Sequence, residues 1–247
     1  MSVINYTLRI GDSSLILGQR LSDWCTNGPT LEEDIALTNI SLDLFGQANG
    51  FLEYAAKLNG TKSADDLAFK RDSNQFFNLL ITEQENGHFG DTIVRQFLYS
   101  SFFLLFYTEL AKSKDATLSA LAAKSVKEIK YHLRHSESWL IRLGDGTVES
   151  NKKVQDAINN IWDFTGEFFE MDEIDNQMLN EGIGVNNAKL KFLWDDLVNK
   201  TLEKANLNYP NNTNMKTGSK TGVHTNYLYT VLKEMQYLPR KYPDAKW

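Results

Sequence analysis

A long amphipathic run opens with Thr30-Leu31-Glu32-Glu33-Asp34-Ile35-Ala36-Leu37 and continues to about Leu58. Thr30 and Glu33 have the spacing of a capping box, in which each side chain accepts from the other residue's backbone N–H. Asn59-Gly60 then supplies a stop signal typical of a helix C-terminus. The apolar residues between these ends recur at helical spacing and predict one long helix: Ile35, Leu37, Ile40, Leu42, Leu44, Phe51 and Leu52.

The same helical periodicity extends along most of the chain on either side. An earlier helix is predicted to end near Asn27-Gly28-Pro29. No proline occurs between residues 30 and 209, as expected of helix interiors, where proline costs about 3 kcal/mol. Six or seven helices with short connections and no alternating strand pattern predict an all-α, antiparallel helical bundle. The later helices are predicted over residues 72–112, with a break or kink between 72–86 and 90–112, and over 115–143, 149–170, 186–204 and 224–237.

No composition change marks a boundary between domains. We therefore expect residues 1–247 to form a single helical domain with additional C-terminal helices. Residues 205–223 are rich in Asn, Thr and Gly, and they predict a long irregular loop before the last helix. A loop of this length is a candidate for a functional role.

Composition and charge exclude several classes of protein. The chain has 247 residues, 42% of them hydrophobic, which is enough to bury a large core without disulfides or structural zinc. Cys25 is the only cysteine, and the N-terminus lacks the pattern of a signal peptide, so we expect a cytoplasmic protein. The most apolar stretch, 97–107, is about half the length that a membrane span needs. The net charge of −6 argues against nucleic acid as a partner.

Helical bundles can hold two iron ions when Glu-x-x-His motifs project inward from two helices. Of the four histidines, only His88 has a glutamate three positions earlier, Glu85. The intervening Asn86-Gly87 is unfavourable to a regular helix, so a polar helix end is the alternative interpretation.

Two further segments have part of the di-iron spacing. Glu128 and His132 are four positions apart, and Tyr131 occupies the position that a ligand histidine would take. Asp43 lies in an apolar run, and three positions later the residue is Gly46. Polar residues thus occur where a di-iron site would lie, but the imidazoles are missing.

A segment that mixes polar and aromatic residues lies at the start of the predicted helix 72–86. It includes Gln75-Phe76-Phe77-Asn78. Because helix N-termini attract anions, this segment is a candidate binding site for a phosphate-bearing substrate. The alternative is that the segment only caps the helix and binds no ligand.

Four separated segments resemble the C-subunit family of the bacterial phenylacetyl-CoA epoxidases, also called ring-1,2-phenylacetyl-CoA epoxidases. The segments are 17–25, 42–48, 128–134 and 234–238, and His224-Thr225 fits the resemblance too. The resemblance covers nearly the whole chain and implies a ferritin-like helical bundle.

The resemblance also implies a function. Such a chain is a non-catalytic structural subunit of a monooxygenase complex that epoxidises the ring of phenylacetyl-CoA in aerobic phenylacetate degradation. It would pair with and stabilise the catalytic A subunit, which holds the di-iron centre. The B subunit would bridge the hetero-oligomer, and a reductase with FAD and an iron–sulfur cluster would supply electrons from NADPH. The chain itself would hold no catalytic residue, metal or cofactor.

Contacts with the CoA substrate are a further implication of the resemblance. The first set of substrate-binding residues is Gln75, Phe76, Phe77 and Asn78. The second set, Asn176, Gln177 and Met178, follows the segment 172–175, in which three of the four residues are acidic. One alternative stays open, a self-sufficient di-iron carboxylate oxygenase with the unusual ligands Asp43, Glu85, His88, Glu128 and His132.

Overall fold

The computed structural model describes residues 2–60, 62–243 and 245. In these residues the chain forms ten α-helices and five short 3₁₀ turns, with no β-strand, which confirms the all-α prediction. The helices are α1 Ser2–Ser22, α2 Leu31–Asn59, α3 Ala64–Phe69, α4 Phe89–Leu110, α5 Ala116–Gly144, α6 Val148–Ile161, α7 Glu173–Asn180, α8 Asn187–Lys204, α9 Asn226–Met235 and α10 Tyr237–Lys241.

The chain divides into two compact units. Unit 1 consists of Met1–Glu85 and Gly218–Trp247, and it contains α1, α2, α3, α9 and α10. Unit 2 consists of Asn86–Thr217 and contains α4 to α8. That the whole chain forms a single domain stays a prediction.

Helix α2 has the ends that its sequence predicts. The Thr30 side chain accepts a hydrogen bond from the backbone N–H of Glu33 at 3.4 Å. At the other end Gly60 has φ of +74°, and its N–H bonds the carbonyl oxygen of Ala56. A left-handed residue after the last turn is a common helix stop, and glycine adopts it without the steric cost of a Cβ atom.

Unit 1 is built around the packing of α1 along α2. The two helices share an apolar core with α3 and α9, and burial of each large side chain stabilises the unit by about 1.5–3 kcal/mol. The buried members include Leu15, Ile16, Leu52, Phe76 and Leu228.

Unit 2 places α4 against α5, α6 and α8. Its core is aromatic: the rings of Phe102 and Phe168 stack at 4.6 Å, and Trp194 lies edge-on to Phe168 at 5.9 Å. The apolar stretch 97–107 lies in the C-terminal half of α4, and most of its side chains are buried. None of the helices in the described part of the chain is both long and apolar enough to cross a membrane.

The predicted helix over 72–86 is wrong. Only short 3₁₀ turns form there, at Ser73–Gln75 and Leu80–Glu83, and residues 76–79 between them have no regular secondary structure. The reason is that side chains of α1 accept hydrogen bonds from backbone N–H groups that would otherwise donate to carbonyl oxygens within a helix. Asp12 accepts from the N–H of Phe77 at 3.0 Å, and Ser13 accepts from the N–H of Leu79 at 3.1 Å.

Three short helices, α3, α7 and α10, were not predicted from periodicity, and the first two start with a capping box. Ser63 and Asp66 cap α3, and Asp172 and Asp175 cap α7. The predicted helix 149–170 is shorter than expected, since α6 ends at Ile161 and two 3₁₀ turns follow. Residues 206–218 contain no helix.

Candidate functional site

The segment predicted to bind substrate, Gln75–Asn78, lies in unit 1 and is only partly accessible. Gln75 is exposed, and its side chain accepts from the backbone N–H of Asp72 at 2.9 Å, so it caps the turn. Phe76 and Asn78 are completely buried, and Phe77 is partly buried. In this structure the accessible members are therefore Gln75 and Phe77. A role in substrate binding stays a prediction.

A buried ion pair holds the segment against α1. Asp12 and Arg71 are 0% and 4% exposed, and Nη1 of Arg71 donates to Oδ2 of Asp12 at 3.0 Å. The same guanidinium lies over the ring of Phe76 at 4.1 Å and donates to the carbonyl oxygen of Gln75 at 2.8 Å. These contacts join the candidate segment to α1, so the ion pair fixes the segment's position.

A second buried charged group lies at the other end of the segment. Glu83 is completely buried, and its carboxylate accepts from Asn78 at 3.1 Å and from the backbone N–H of Thr225 at 2.6 Å. Its third contact is Nδ1 of His224 at 2.9 Å. The contact between Glu83 and His224 joins residues 141 positions apart in the sequence.

Both ring nitrogens of His224 have hydrogen-bond partners within unit 1. Nε2 lies 2.8 Å from the carbonyl oxygen of Phe76, which can only accept, so this nitrogen carries a proton. Nδ1 lies 2.9 Å from Oε2 of Glu83, so the imidazole and the carboxyl group share a buried hydrogen bond.

Arg20 completes the polar interior of unit 1. Its guanidinium donates twice to the carbonyl oxygen of Glu83, at 3.1 and 2.8 Å. Burial lowers the pKa of Arg20 from its ordinary value, and the nearby acids Asp23, Glu85 and Glu83 oppose that shift. These contacts are structural and show that the turn 80–83 is fixed from several sides.

The second predicted substrate set lies in α7 of unit 2. Asn176 and Gln177 are exposed, and both side chains make local bonds, to the carbonyl oxygen of Asp172 and to the carboxylate of Glu181. Met178 is completely buried. A substrate could reach only the two amides in this structure.

The positions that would carry the missing imidazoles face outward. A Cβ atom built on Gly46 has no neighbour within 4 Å, and Tyr131 is 38% exposed. His88 serves as the N-cap of α4, where its ring accepts from the N–H of Asp91 at 3.1 Å. Among residues 2–60, 62–243 and 245, no group of three or more His, Cys, Asp or Glu side chains could hold a metal ion.

The network of Asp12, Arg71, Glu83 and His224 was not predicted from the sequence. Asp12 had a signal in its surroundings, because it stands beside the small residues Gly11, Ser13 and Ser14 in the middle of an amphipathic helix. Small neighbours allow a close approach of other backbone to that helix face. The network partners of the other three residues lie 59 or more positions away in the sequence, and local spacing carries no information about such distant contacts.

The fold and these sites define an all-α protein whose first unit encloses its own charge pairs. The chain matches the model of the family described as Phenylacetic acid catabolic protein over residues 1–247. It is 49% identical over 242 residues to an Escherichia coli (strain K12) protein described as the C subunit of 1,2-phenylacetyl-CoA epoxidase, and the match covers 98% of each chain.

The chain therefore belongs to the phenylacetic acid catabolic protein family. This finding confirms the resemblance predicted from the sequence. Membership implies a ferritin-like fold, in agreement with the all-α structure.

Proposed function

We propose that this chain is a non-catalytic structural subunit of a phenylacetyl-CoA epoxidase complex and takes part in aerobic phenylacetate degradation in the cytoplasm. The observation that carries the proposal is the 49% identity to the C subunit of such an epoxidase over 98% of both chains.

The charged interior supports a structural role. Glu83 accepts from Asn78 and Thr225 and shares a hydrogen bond with His224, and Asp12 is bound by Arg71 and by the N–H of Phe77. Carboxylates with this many donors are satisfied within the chain, whereas metal-ligating carboxylates need free lone pairs that converge on the ion. The interior of unit 1 therefore fits a scaffold better than a di-iron centre.

The proposed partners follow from the role of a subunit. The catalytic A subunit would hold the di-iron centre, the B subunit would bridge the assembly, and a reductase with FAD and an iron–sulfur cluster would transfer electrons from NADPH. Since a scaffold acts by burying surface, we expect the contact with the catalytic subunit to cover about 2,000 Å² or more.

Co-expression with the catalytic subunit tests this proposal. We expect the two chains to elute together from gel filtration, and each chain expressed alone serves as the control. Epoxidation of phenylacetyl-CoA by the catalytic subunit, the bridging subunit and the reductase should require this chain, while this chain with the reductase alone should be inactive. Separate elution of the two chains, or turnover without the catalytic subunit, would overturn the proposal.

A further inference from the structure

Unit 1 has a groove of about 570 Å³ beside the 3₁₀ turn Ser73–Gln75, and its other walls are α9 and α10. Its size lies within the roughly 300–1,000 Å³ range of small-molecule sites. Of the described residues that line it, three are cations and one is an acid, Asp72. We call it the cationic groove after its cations Lys233, Arg240 and Lys241.

This charge is unusual for the chain, which has a net charge of −6. Grooves lined by one sign of charge concentrate ligands of the opposite sign. The cationic groove therefore favours an anion, and a guanidinium beside two ammonium groups is the combination that binds phosphates.

The guanidinium of Arg240 is held in place with donors to spare. Its Nη2 donates to the carbonyl oxygen of Arg71 at 3.0 Å and to the carboxylate of Asp72 at 2.9 Å. Both of these bonds use one nitrogen, whereas the group has five N–H donors. The partner Asp72 is 74% exposed, so solvent weakens that ion pair, and a phosphate can compete with it.

The two lysines are placed by helical spacing. Lys233 follows Tyr229 by four positions on α9, so the two side chains share a face of that helix. Lys241 lies four positions after Tyr237 on α10, and its Nζ donates to the tyrosine hydroxyl at 3.0 Å.

Tyr229 adds an aromatic surface to the cations. It lines the groove and is 65% exposed, which is high for a large aromatic side chain. Aromatic side chains next to cationic groups bind nucleotides, because any base can stack on the ring while the cations hold the phosphates. The groove thus combines the two elements of a nucleotide site.

We propose that the cationic groove binds the 3′-phosphorylated ADP portion of a CoA thioester. Tyr229 stacks on the adenine, Arg240 binds the 3′-phosphate, and Lys233 and Lys241 bind the diphosphate. The choice of CoA among nucleotides rests on the proposed function, whereas the preference for a phosphorylated nucleotide rests on the groove alone.

Calorimetric titration of the full chain tests the site. We expect CoA to bind with a Kd on the order of 0.1 mM at about 50 mM salt, and more weakly at about 200 mM salt because of screening. 3′-Dephospho-CoA should bind about tenfold more weakly, and inorganic phosphate more weakly still. Pantetheine, which lacks the nucleotide, should give no heat.

Single substitutions measure separately how much the cationic side chains and the aromatic ring contribute to CoA binding. Arg240→Gln should weaken CoA binding about tenfold, while Lys57→Gln, the same charge change on α2 outside the groove, should leave it within about twofold. Tyr229→Ala should weaken binding several-fold, and Tyr229→Phe should preserve it, since stacking needs only the ring.

The result that overturns the inference is CoA binding that is absent, matched by pantetheine, or unchanged in both Arg240→Gln and Tyr229→Ala. Equal binding of inorganic phosphate and CoA would also overturn it, because the nucleotide would then play no part. Failure of the two proposals can be told apart. Co-elution with the catalytic subunit without CoA binding removes only this site, whereas CoA binding without co-elution removes the proposed subunit role.

Discussion

At the scale of single residues, His224 connects two parts of unit 1 that are far apart in sequence. Replacement by Ala removes the partner of a completely buried carboxylate, so His224→Ala should lower the free energy of unfolding by about 3 kcal/mol. Urea unfolding followed by circular dichroism measures the change. The matched control is His88→Asn, since His88 is 43% exposed and asparagine is also a good N-cap.

We expect the His88→Asn variant to stay within about 0.5 kcal/mol of the unmodified chain. A loss below about 1 kcal/mol in His224→Ala would show that Glu83 finds other partners.

The ion pair of Asp12 and Arg71 allows a double-mutant cycle. Asp12→Ala alone should cost about 3 kcal/mol, because it leaves a buried guanidinium and the N–H of Phe77 without their acceptor. Arg71→Met alone should cost a similar amount. In the double variant we expect a total loss about 2 kcal/mol smaller than the sum, since neither charge is then left alone.

Urea unfolding of the four proteins gives the coupling energy. Additive losses, within about 0.5 kcal/mol, would mean that the two side chains do not interact as the structure shows them. The cycle also reports on the segment Gln75–Asn78, because both residues bind its backbone.

At the scale of elements, the helices with clear periodicity were predictable and the segment 72–86 was not. The α2 ends at Thr30 and Gly60 follow from local chemistry, namely a capping side chain and a left-handed glycine. The course of 76–79 depends instead on Asp12 and Ser13, more than 60 positions earlier. Likewise the cationic groove combines the turn at Ser73–Gln75 with α9 and α10, so no local pattern contains it.

Two glycines in long helices should respond to alanine in opposite directions. A Cβ on Gly144, the last residue of α5, would lie 2.3 Å from the carbonyl oxygen of Ala205, so Gly144→Ala should cost about 2 kcal/mol. Gly46 in α2 has no neighbour within 4 Å, so Gly46→Ala should stabilise the chain by up to about 1 kcal/mol.

Thermal unfolding of the two variants shows whether each substitution raises or lowers the stability of the chain. A stable Gly144→Ala variant would mean that the backbone of Ala205 can move away without cost. A destabilised Gly46→Ala variant would mean that the open face of α2 is covered in solution, and gel filtration would then show whether a second copy covers it.

The capping box of α3 predicts a titration. The pKa of Asp66 is lowered from 3.8 to about 2, first by the hydrogen bond from Lys70 and then by bonds from Ser63. Because the pKa of Asp66 is lower in the folded chain than in the unfolded chain, the ionised carboxylate stabilises the fold at pH values above 3.8. This contribution is lost as the pH falls towards 2.

Carbon-13 NMR of the carboxyl group measures the pKa of Asp66 directly. In Lys70→Gln we expect the pKa to rise towards 3.8, while Lys57→Gln on α2 should leave it unchanged. An equal rise in both variants would assign the shift to overall charge instead of the local hydrogen bond.

At the scale of the whole molecule, the proposed role predicts where iron is found. A di-iron centre needs carboxylates and imidazoles that converge, and no such group occurs among the described residues. In unit 1 the most buried carboxylates, Asp12 and Glu83, already bind donors of their own chain. We therefore expect the chain purified alone to contain far less than one iron per chain, even after incubation with ferrous iron.

The complex with the catalytic subunit should contain two iron ions per copy of that subunit, measured by plasma emission spectrometry on the co-eluting fraction. The matched comparison is the catalytic subunit purified alone, which shows whether this chain changes the iron content of its partner. Two iron ions per chain in the isolated protein would require unorthodox ligands such as Glu128 and His132. That result would favour the alternative in which this chain is a self-sufficient di-iron oxygenase. Iron found only in the complex would instead assign the oxygenase chemistry to the catalytic subunit. The role of this chain would then be to bind and stabilise that subunit.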